Sequence, residues 1–321
     1  LTNSGIPTQG IAFYHQSTLD LLQGLSCSVG LRYDYEHARC DFSKVQQPLN
    51  GNGETKSLEQ FNRSLHFGQF TPKFSMQYLS SHNQLFYASV SKGYKAGGFN
   101  VSFLNNDDYL YSPEYNWNYE IGTKLSFLNN RLSADLSLFY IDWRNQQITN
   151  TIPTVGNVIR NAGRSRNKGI EASFQARPTK SWMMYMNYGY TDARFVHYQK
   201  EERGILKDYG GNYLPMVPRH TFSLTTGYSF YDICSWIDRL TLNAGVSVTG
   251  PIYWYEDNQA KQSPYALVNL RISINKGCFT WEAWSKNLTN TDYLSYYFVT
   301  SKAYAQKGKP ITLGTSVSIS L

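Results

Sequence analysis

The segment Arg239-Leu240-Thr241-Leu242-Asn243-Ala244-Gly245-Val246-Ser247-Val248-Thr249-Gly250 decides the fold. Every second residue (Leu240, Leu242, Ala244, Val246, Val248) is apolar. The interleaved Arg239, Thr241, Asn243, Gly245, Ser247 and Thr249 are polar or small. Successive side chains of a strand point to opposite faces, so this period of two marks a strand with one greasy and one wet side.

The same pattern recurs outward in both directions. Ile311, Leu313, Val317, Ile319 and Leu321 alternate with Thr312, Gly314, Ser316, Ser318 and Ser320. Phe222, Leu224, Tyr228 and Phe230 alternate with Thr221, Ser223, Thr225, Gly227 and Ser229. Leu25, Cys27, Val29, Leu31, Tyr33 and Tyr35 oppose Gly24, Ser26, Ser28, Gly30, Arg32 and Asp34. Continued along the chain, the period predicts about thirteen strands, starting near 9, 24, 67, 84, 116, 131, 166, 181, 218, 239, 264, 278 and 309. Most run to about a dozen residues, long for a soluble sheet and right for a tilted membrane-crossing strand.

The connections alternate in length. Short ones are Leu22-Gln23, Ser81 to Asn83, Asn129-Asn130, Pro178 to Lys180, Tyr231 to Asp238 and Lys276-Gly277. Long ones fall near 37–66, 96–115, 146–165, 196–217, 251–263 and 289–308. Tight turns on one rim and long loops on the other describe an outer-membrane barrel, whereas a sandwich with Greek-key crossovers has no reason to sort its loops. Trp117, Trp143, Trp182, Trp254 and Tyr94 sit at strand ends, where the aromatic girdles of membrane barrels lie.

Composition agrees. The chain has 321 residues, 41% hydrophobic and 17% charged, with 26 Tyr, 17 Phe and 7 Trp, so there is ample apolar surface to place. No apolar run approaches the roughly 20 residues of a transmembrane helix; Leu85 to Val90 is typical of the longest. The net charge of +7 is spread without a basic run, so nucleic acid is not indicated as a partner. Cys27, Cys40, Cys234 and Cys278 lack C-x-x-C spacing; Cys27 and Cys40 are the candidates for a pair. Six scattered histidines give no ligand spacing, and no nucleophile elbow or P-loop is present, so neither a metal nor a catalytic residue is assigned.

An odd strand count cannot close a simple antiparallel barrel, and open edges are not tolerated in hydrocarbon. The sequence therefore reads as a single barrel domain, 1–321, that lacks its first strands.

Several segments, in order, resemble the TonB-dependent outer-membrane receptor family. They are Gly10-Ile11-Ala12-Phe13-Tyr14 with Val29-Gly30-Leu31-Arg32-Tyr33-Asp34, and Ser91-Lys92-Gly93-Tyr94-Lys95-Ala96-Gly97-Gly98-Phe99-Asn100. Pro113-Glu114 with Tyr119-Glu120-Ile121-Gly122-Thr123-Lys124, and Asn161-Ala162-Gly163 with Lys168-Gly169-Ile170-Glu171, follow. Pro215, Pro218-Arg219-His220, Asn287-Leu288-Thr289-Asn290-Thr291-Asp292-Tyr293 and Gly308-Lys309-Pro310 complete the set. Two departures stand out: Leu321 where the family usually ends in an aromatic residue, and Ile311 where Arg is common.

The resemblance implies an all-β, antiparallel transmembrane barrel of which this chain supplies about the last thirteen of 22 strands, with no plug sequence visible. It also implies uptake of a scarce ligand, a ferric siderophore or haem before vitamin B12 or an oligosaccharide. Implied partners are the TonB-ExbB-ExbD complex acting through the plug, and lipopolysaccharide. No cofactor is expected. A passive porin, a barrel enzyme and a soluble all-β module are the competing classes.

On the wet face, Arg32, Lys73, Glu120, Lys124, Glu171, Arg271, Glu282 and Lys286 are expected to face the lumen and plug, or simply its water. In the loops, Tyr109, Tyr111, Tyr253, Trp254, Tyr255, Tyr296 and Tyr297, with Arg160, Arg164 and Arg166, suit a large flat ligand by stacking and cation–π contact. Rim anchoring for the rings and lipopolysaccharide contact for the arginines are the alternatives.

Overall fold

The structure, a computed structural model, describes residues 1–46, 56–152, 155–161, 163–202, 205–299 and 302–320. One large antiparallel sheet dominates it. Its strands are β1 (Thr2–Gly5 and Thr8–Leu22), β2 (Leu25–Gln46), β3 (Lys56–Leu79), β4 (Leu85–Lys95), β5 (Glu114–Phe127), β6 (Leu132–Arg144) and β7 (Arg164–Ala176). There follow β8 (Trp182–His197), β9 (His220–Cys234), β10 (Ile237–Thr249), β11 (Tyr265–Lys276), β12 (Phe279–Lys286) and β13 (Thr312–Ile319). The two segments of β1 pair with one edge of β2 on either side of Ile6-Pro7, so the 14 hydrogen-bonded segments make thirteen strands. Sequence neighbours are sheet neighbours throughout, and β1 and β13 are paired on one side only among the described residues.

The register aligns like with like. Leu138, Ile170 and Tyr190 stand in one row across β6–β8, and Ser137, Glu171 and Gly189 in the adjacent row on the opposite face. The apolar face is open: Ile121 is 58% exposed and Val317 67%. A sandwich would seal these residues under a second layer at a gain of roughly 1.5–3 kcal/mol each. The buried clusters instead lie at the loop end, around Phe195 and Leu214 and around Cys40, Phe42 and Phe99.

The short rim holds tight turns. Gly24 adopts φ +80°, and a β-carbon there would overlap the Leu79 carbonyl, so only glycine fits. The predicted turn from Tyr231 to Asp238 shrinks to Ser235-Trp236, because β9 continues to Cys234 through an irregularity in register.

The long rim departs more from expectation. Residues 37–46 and 56–66 are not loop but extensions of β2 and β3, whose pairing runs on to Gln46–Lys56. Four of the other five long connections carry a longer or shorter antiparallel ribbon of their own in Gln147–Ile152 with Gly156–Asn161, Gln199–Glu202 with Ile205–Asp208, Ile252–Tyr253 with Lys261–Gln262, and Leu294–Val299 with Ala303–Lys307. The fifth pairs Gly98–Phe99 with Leu110–Tyr111.

The candidate cysteine pair does not form. Cys27 and Cys40 lie on the same extended strand, roughly 43 Å apart at about 3.3 Å per residue, far beyond disulfide reach. Alkylation of denatured protein without reductant is expected to modify both. In the native state exposed Cys234 is expected to react while fully buried Cys40 does not, and a mass shift at Cys40 in folded protein would contradict this packing.

Candidate functional site

Two regions collect the chemistry: the polar face of the wall and the loops above it. Register places Arg32, Lys73, Glu120, Lys124, Glu171, Arg271, Glu282 and Lys286 all on the polar face. Arg32 pairs with Asp34 at 2.6 Å, and Arg271 with Glu282 at 3.8 Å. Tyr87 donates to Glu120 at 2.6 Å, and Ser273 donates to Glu282 at 2.8 Å. Lys124 stands opposite Asp135, and Glu171 opposite Ser137. The Lys286 ammonium lies 5.3 Å from the centre of the Trp284 ring. Such exposed pairs hold little free energy each.

Between the charges, rings lie over glycines. A β-carbon on Gly122 would stand 2.6 Å from the Tyr87 ring, and one on Gly169 2.5 Å from the Phe139 ring. Gly314 lies under Trp284 in the same way. Each ring covers backbone that glycine leaves bare, pinning the register of neighbouring strands.

In the loops, polar clamps fix one connection to the next. Asn100, buried, donates through Nδ2 to the carbonyls of Asp108 and Ile159 at 2.8 Å each, and its Oδ1 accepts from the Ile159 N–H at 2.8 Å. Arg160 forks onto Asp108 through Nε (2.7 Å) and Nη2 (2.8 Å). Asn161 joins the Ser112 backbone, in both directions, to the Asn145 carbonyl. Glu114 accepts from the Gln147 N–H at 2.5 Å. Further on, Asn287 ties the Thr291 backbone to the Lys309 carbonyl.

The Arg160 bond, against the opposing effect of burial and with help from the N–H groups of Leu104 and Asn105, holds the Asp108 carboxyl below its usual value of 3.8. A depressed native pKa means the clamp contributes fully above that usual value and is lost as pH falls through the lower native one. Protease sensitivity of the 96–113 connection is therefore expected to stay constant from neutral pH down to the ordinary aspartate range and to rise only below it. A rise beginning near neutrality would contradict this assignment.

The loop aromatics fall into two groups. Tyr109 is 5% exposed, stacks on Phe61 at 4.8 Å, meets Phe103 edge-on at 4.3 Å and donates to Glu59. Arg63 covers the Tyr109 ring at 5.1 Å, and Tyr111 packs over Gly98, where burial pushes its phenol pKa up. The second group brings Trp254, Tyr255, Tyr296 and Tyr297 together, with Tyr253 next to them in sequence. Trp254, 6% exposed, lies 6.5 and 6.4 Å from Tyr296 and Tyr297; Tyr255 meets Tyr297 at 6.2 Å, and Tyr253 stacks on Tyr213 at 5.4 Å. Tyr296 remains 44% exposed, and Tyr255 accepts the Val299 N–H at 2.5 Å.

The three candidate arginines separate. Arg160 sits on a loop ribbon, whereas Arg164 and Arg166 begin β7 and stand on the outward face, in line with Ile170 and Phe174. Two of the expected girdle residues also move inward: Trp254 is buried in the loops, and Trp143 stands in register with Asn116 and fully buried Ser165. The clamps Asn100, Asn161 and Asn287 were not singled out from residue chemistry; only their place in the resembling motifs marked them.

Comparison with known proteins follows the same lines. A family model described as TonB dependent receptor-like, beta-barrel, matches residues 1–290. The pesticin receptor of Yersinia pestis is 24% identical over 333 residues, taking in 99% of this chain and 45% of that protein. The probable TonB-dependent siderophore receptor PiuA of Acinetobacter baumannii is 26% identical over 241 residues, 70% of this chain and 30% of that one. Among solved structures, the ferric yersiniabactin uptake receptor FyuA from Yersinia pestis superposes with a TM-score of 0.83 at 20% identity, covering 99% of this chain and 46% of that chain. The chain thus spans less than half the length of these relatives.

Proposed function

Because the chain belongs to the TonB dependent receptor-like β-barrel family, we propose that it forms wall and loops of a Gram-negative outer-membrane receptor that imports a ferric siderophore. The observation that carries this is the alignment of 70% of the chain with a protein named as a probable siderophore receptor and of 99% with one named as a ferric yersiniabactin uptake receptor. The family is one of receptors rather than enzymes. Its energy source would be TonB with ExbB and ExbD, acting through a plug against the polar face that carries Arg32, Lys73, Glu120, Lys124, Glu171, Arg271, Glu282 and Lys286.

Within the loops, the cluster Tyr253, Trp254, Tyr255, Tyr296 and Tyr297 is the proposed ligand surface, because it offers several ring faces close together. Flat chelates stack on such faces. Tyr109, Tyr111 and Arg160 lie in other connections, where Tyr109 packs with Phe61 and Phe103, Tyr111 covers Gly98 and Arg160 pairs with Asp108.

Deleting the gene is expected to abolish energy-dependent uptake of one radiolabelled ferric chelate, and removing TonB is expected to do the same. Uptake that persists without TonB would favour a passive pore. Unchanged growth on every iron source would count against an iron cargo and leave haem, vitamin B12 or an oligosaccharide to be tried.

A further inference from the structure

Where the wall leaves the apolar band at its loop end, β2 and β3 bring two histidines together. His37 and His66, far apart in sequence, are direct cross-strand partners. Their rings stack with centroids 4.5 Å apart and only 15° from parallel. Both stand on the outward face: His37 follows Tyr33 and Tyr35 at alternate positions, and His66 shares its side of β3 with Gly68 and Phe70. Spacing along the chain hides this pair, since the six histidines form no local ligand motif; strand register creates it.

The pair is oriented as well as adjacent. Tyr35 Oη lies 2.9 Å from His66 Nδ1, and the Tyr35 ring stacks on His66 at 6.1 Å. When the Nδ1–H donates to that hydroxyl, Nε2 keeps a free lone pair; a partner on one ring nitrogen thus prepares the other for a metal. His37 is half-buried and His66 exposed, so an ion can approach from solvent. On the other side of β2, Gln9 of β1 is the register partner of His37, within cross-strand reach for an amide oxygen to serve as a third donor. The next outward cation on β2, Arg39, is engaged by Asp41 at 3.1 Å one row farther out. His, Cys, Asp and Glu form no cluster of three among the described residues, so the remaining coordination positions fall to water.

We infer that His37 and His66 form a binding site for a divalent transition-metal ion of borderline softness, namely Cu2+, Zn2+ or Ni2+. Imidazole nitrogen suits these ions, whereas Mg2+ and Ca2+ call for oxygen ligands. Two nitrogens each about 2.0–2.1 Å from one tetrahedral ion lie roughly 3.3 Å from each other. Stacked rings reach that spacing by a small tilt of the exposed His66. The ion clips β2 to β3 at the base of the ribbon that carries Phe42 and Phe61 into the loop cluster. The site is separate from the aromatic loop surface. It takes a bare ion rather than a chelate, whose own donors already surround its metal, and so it stands whatever cargo is carried.

The test uses the full-length protein in detergent, purified without a polyhistidine tag and stripped with EDTA, then titrated with Cu2+, Zn2+, Ni2+ and Mg2+ in turn. Cu2+ is expected to bind most tightly, following the general order of divalent ions, and Mg2+ not at all. His37→Ala and His66→Ala are each expected to weaken Cu2+ and Zn2+ binding at least about tenfold. His82→Ala, on the short-turn rim, is expected to bind like wild type. The EPR spectrum of the Cu2+ form should show two coupled imidazole nitrogens in wild type and fewer in either variant. Heat-modifiable gel mobility checks that each variant is folded. Undiminished Zn2+ binding in the folded double variant, an equal loss in His82→Ala, or a wild-type Cu2+ spectrum without two imidazole nitrogens would overturn the assignment. Neither chelate nor TonB enters the titration, so its failure leaves the uptake reading untouched.

Discussion

Gly169→Val is expected to remove the protein from the outer membrane almost completely. Gly169 sits mid-sheet on β7, between Phe139 of β6 and Thr191 of β8. Any β-carbon there would overlap the Tyr190 carbonyl and stand 2.5 Å from the Phe139 ring. The ring can turn away, but the carbonyl belongs to the hydrogen-bonded ladder and cannot. Relief requires parting two central strands, and overpacking that moves backbone costs roughly 1–3 kcal/mol or more. Unpaired backbone groups facing hydrocarbon add several kcal/mol each. Comparison with Ser223→Ala, on the same face of β9, separates this effect from loss of a polar group. Folded, heat-modifiable Gly169→Val at wild-type abundance would refute the close packing.

Asn100→Ala is expected to leave the wall intact but to loosen the loops and cut ligand uptake. Three backbone groups of two different connections end on this one buried amide. Truncation leaves them unpaired, at about 1–3 kcal/mol for each group that water cannot reach. The Arg160–Asp108 fork and the bonds of Asn161 and Gln147 to the Ala96 and Ser112 backbone would then have to hold the 96–113 and 146–163 connections together. Limited proteolysis should cut the variant in these connections at least tenfold faster while the barrel fragment resists. Asn100→Asp, which keeps the acceptor but aims a carboxylate oxygen at the Asp108 and Ile159 carbonyls, should be cut at least as fast. Wild-type cleavage rates in Asn100→Ala would show that the loops are ordered by their aromatic packing instead.

The wall was legible because one physical rule governs all of it. A strand between lipid and water must alternate, so Leu240 to Val248 announced its own fold, and most strand starts fall within a few residues of the sequence reading, although β3 begins at Lys56 rather than near 67. The exception is instructive. Along β2 the apolar residues occupy odd positions from Leu25 to Tyr35, then even positions at Ala38, Cys40 and Phe42. The strand does not end there; its surroundings invert. Beyond the apolar band the greasy side turns inward to meet Phe99 and Phe103, so a broken phase looked like a loop. The loop chemistry was opaque for a different reason. Asn100 and Asn161 bond to backbone supplied by other connections, and nothing in local spacing foretells which. Arg160, Arg164 and Arg166 are near neighbours in sequence, yet the ribbon that ends at Asn161 sends the first to one region and the others to another.

On β7 the outward residues Arg164, Arg166 and Lys168 give way abruptly to Ile170, and this change sets the height at which the molecule floats. Two residues of a strand rise roughly 6.6 Å. Sinking by that distance would drag Lys168 and Arg166 toward the acyl chains; rising would lift Ile170 and Leu138 into the aqueous layer. Penalties of up to about 2–4 kcal/mol per displaced charge, smaller near the surface, act against the first. The hydrophobic effect acts against the second. Between them they draw a waterline on the hull, and the loops are carried at a fixed distance above it.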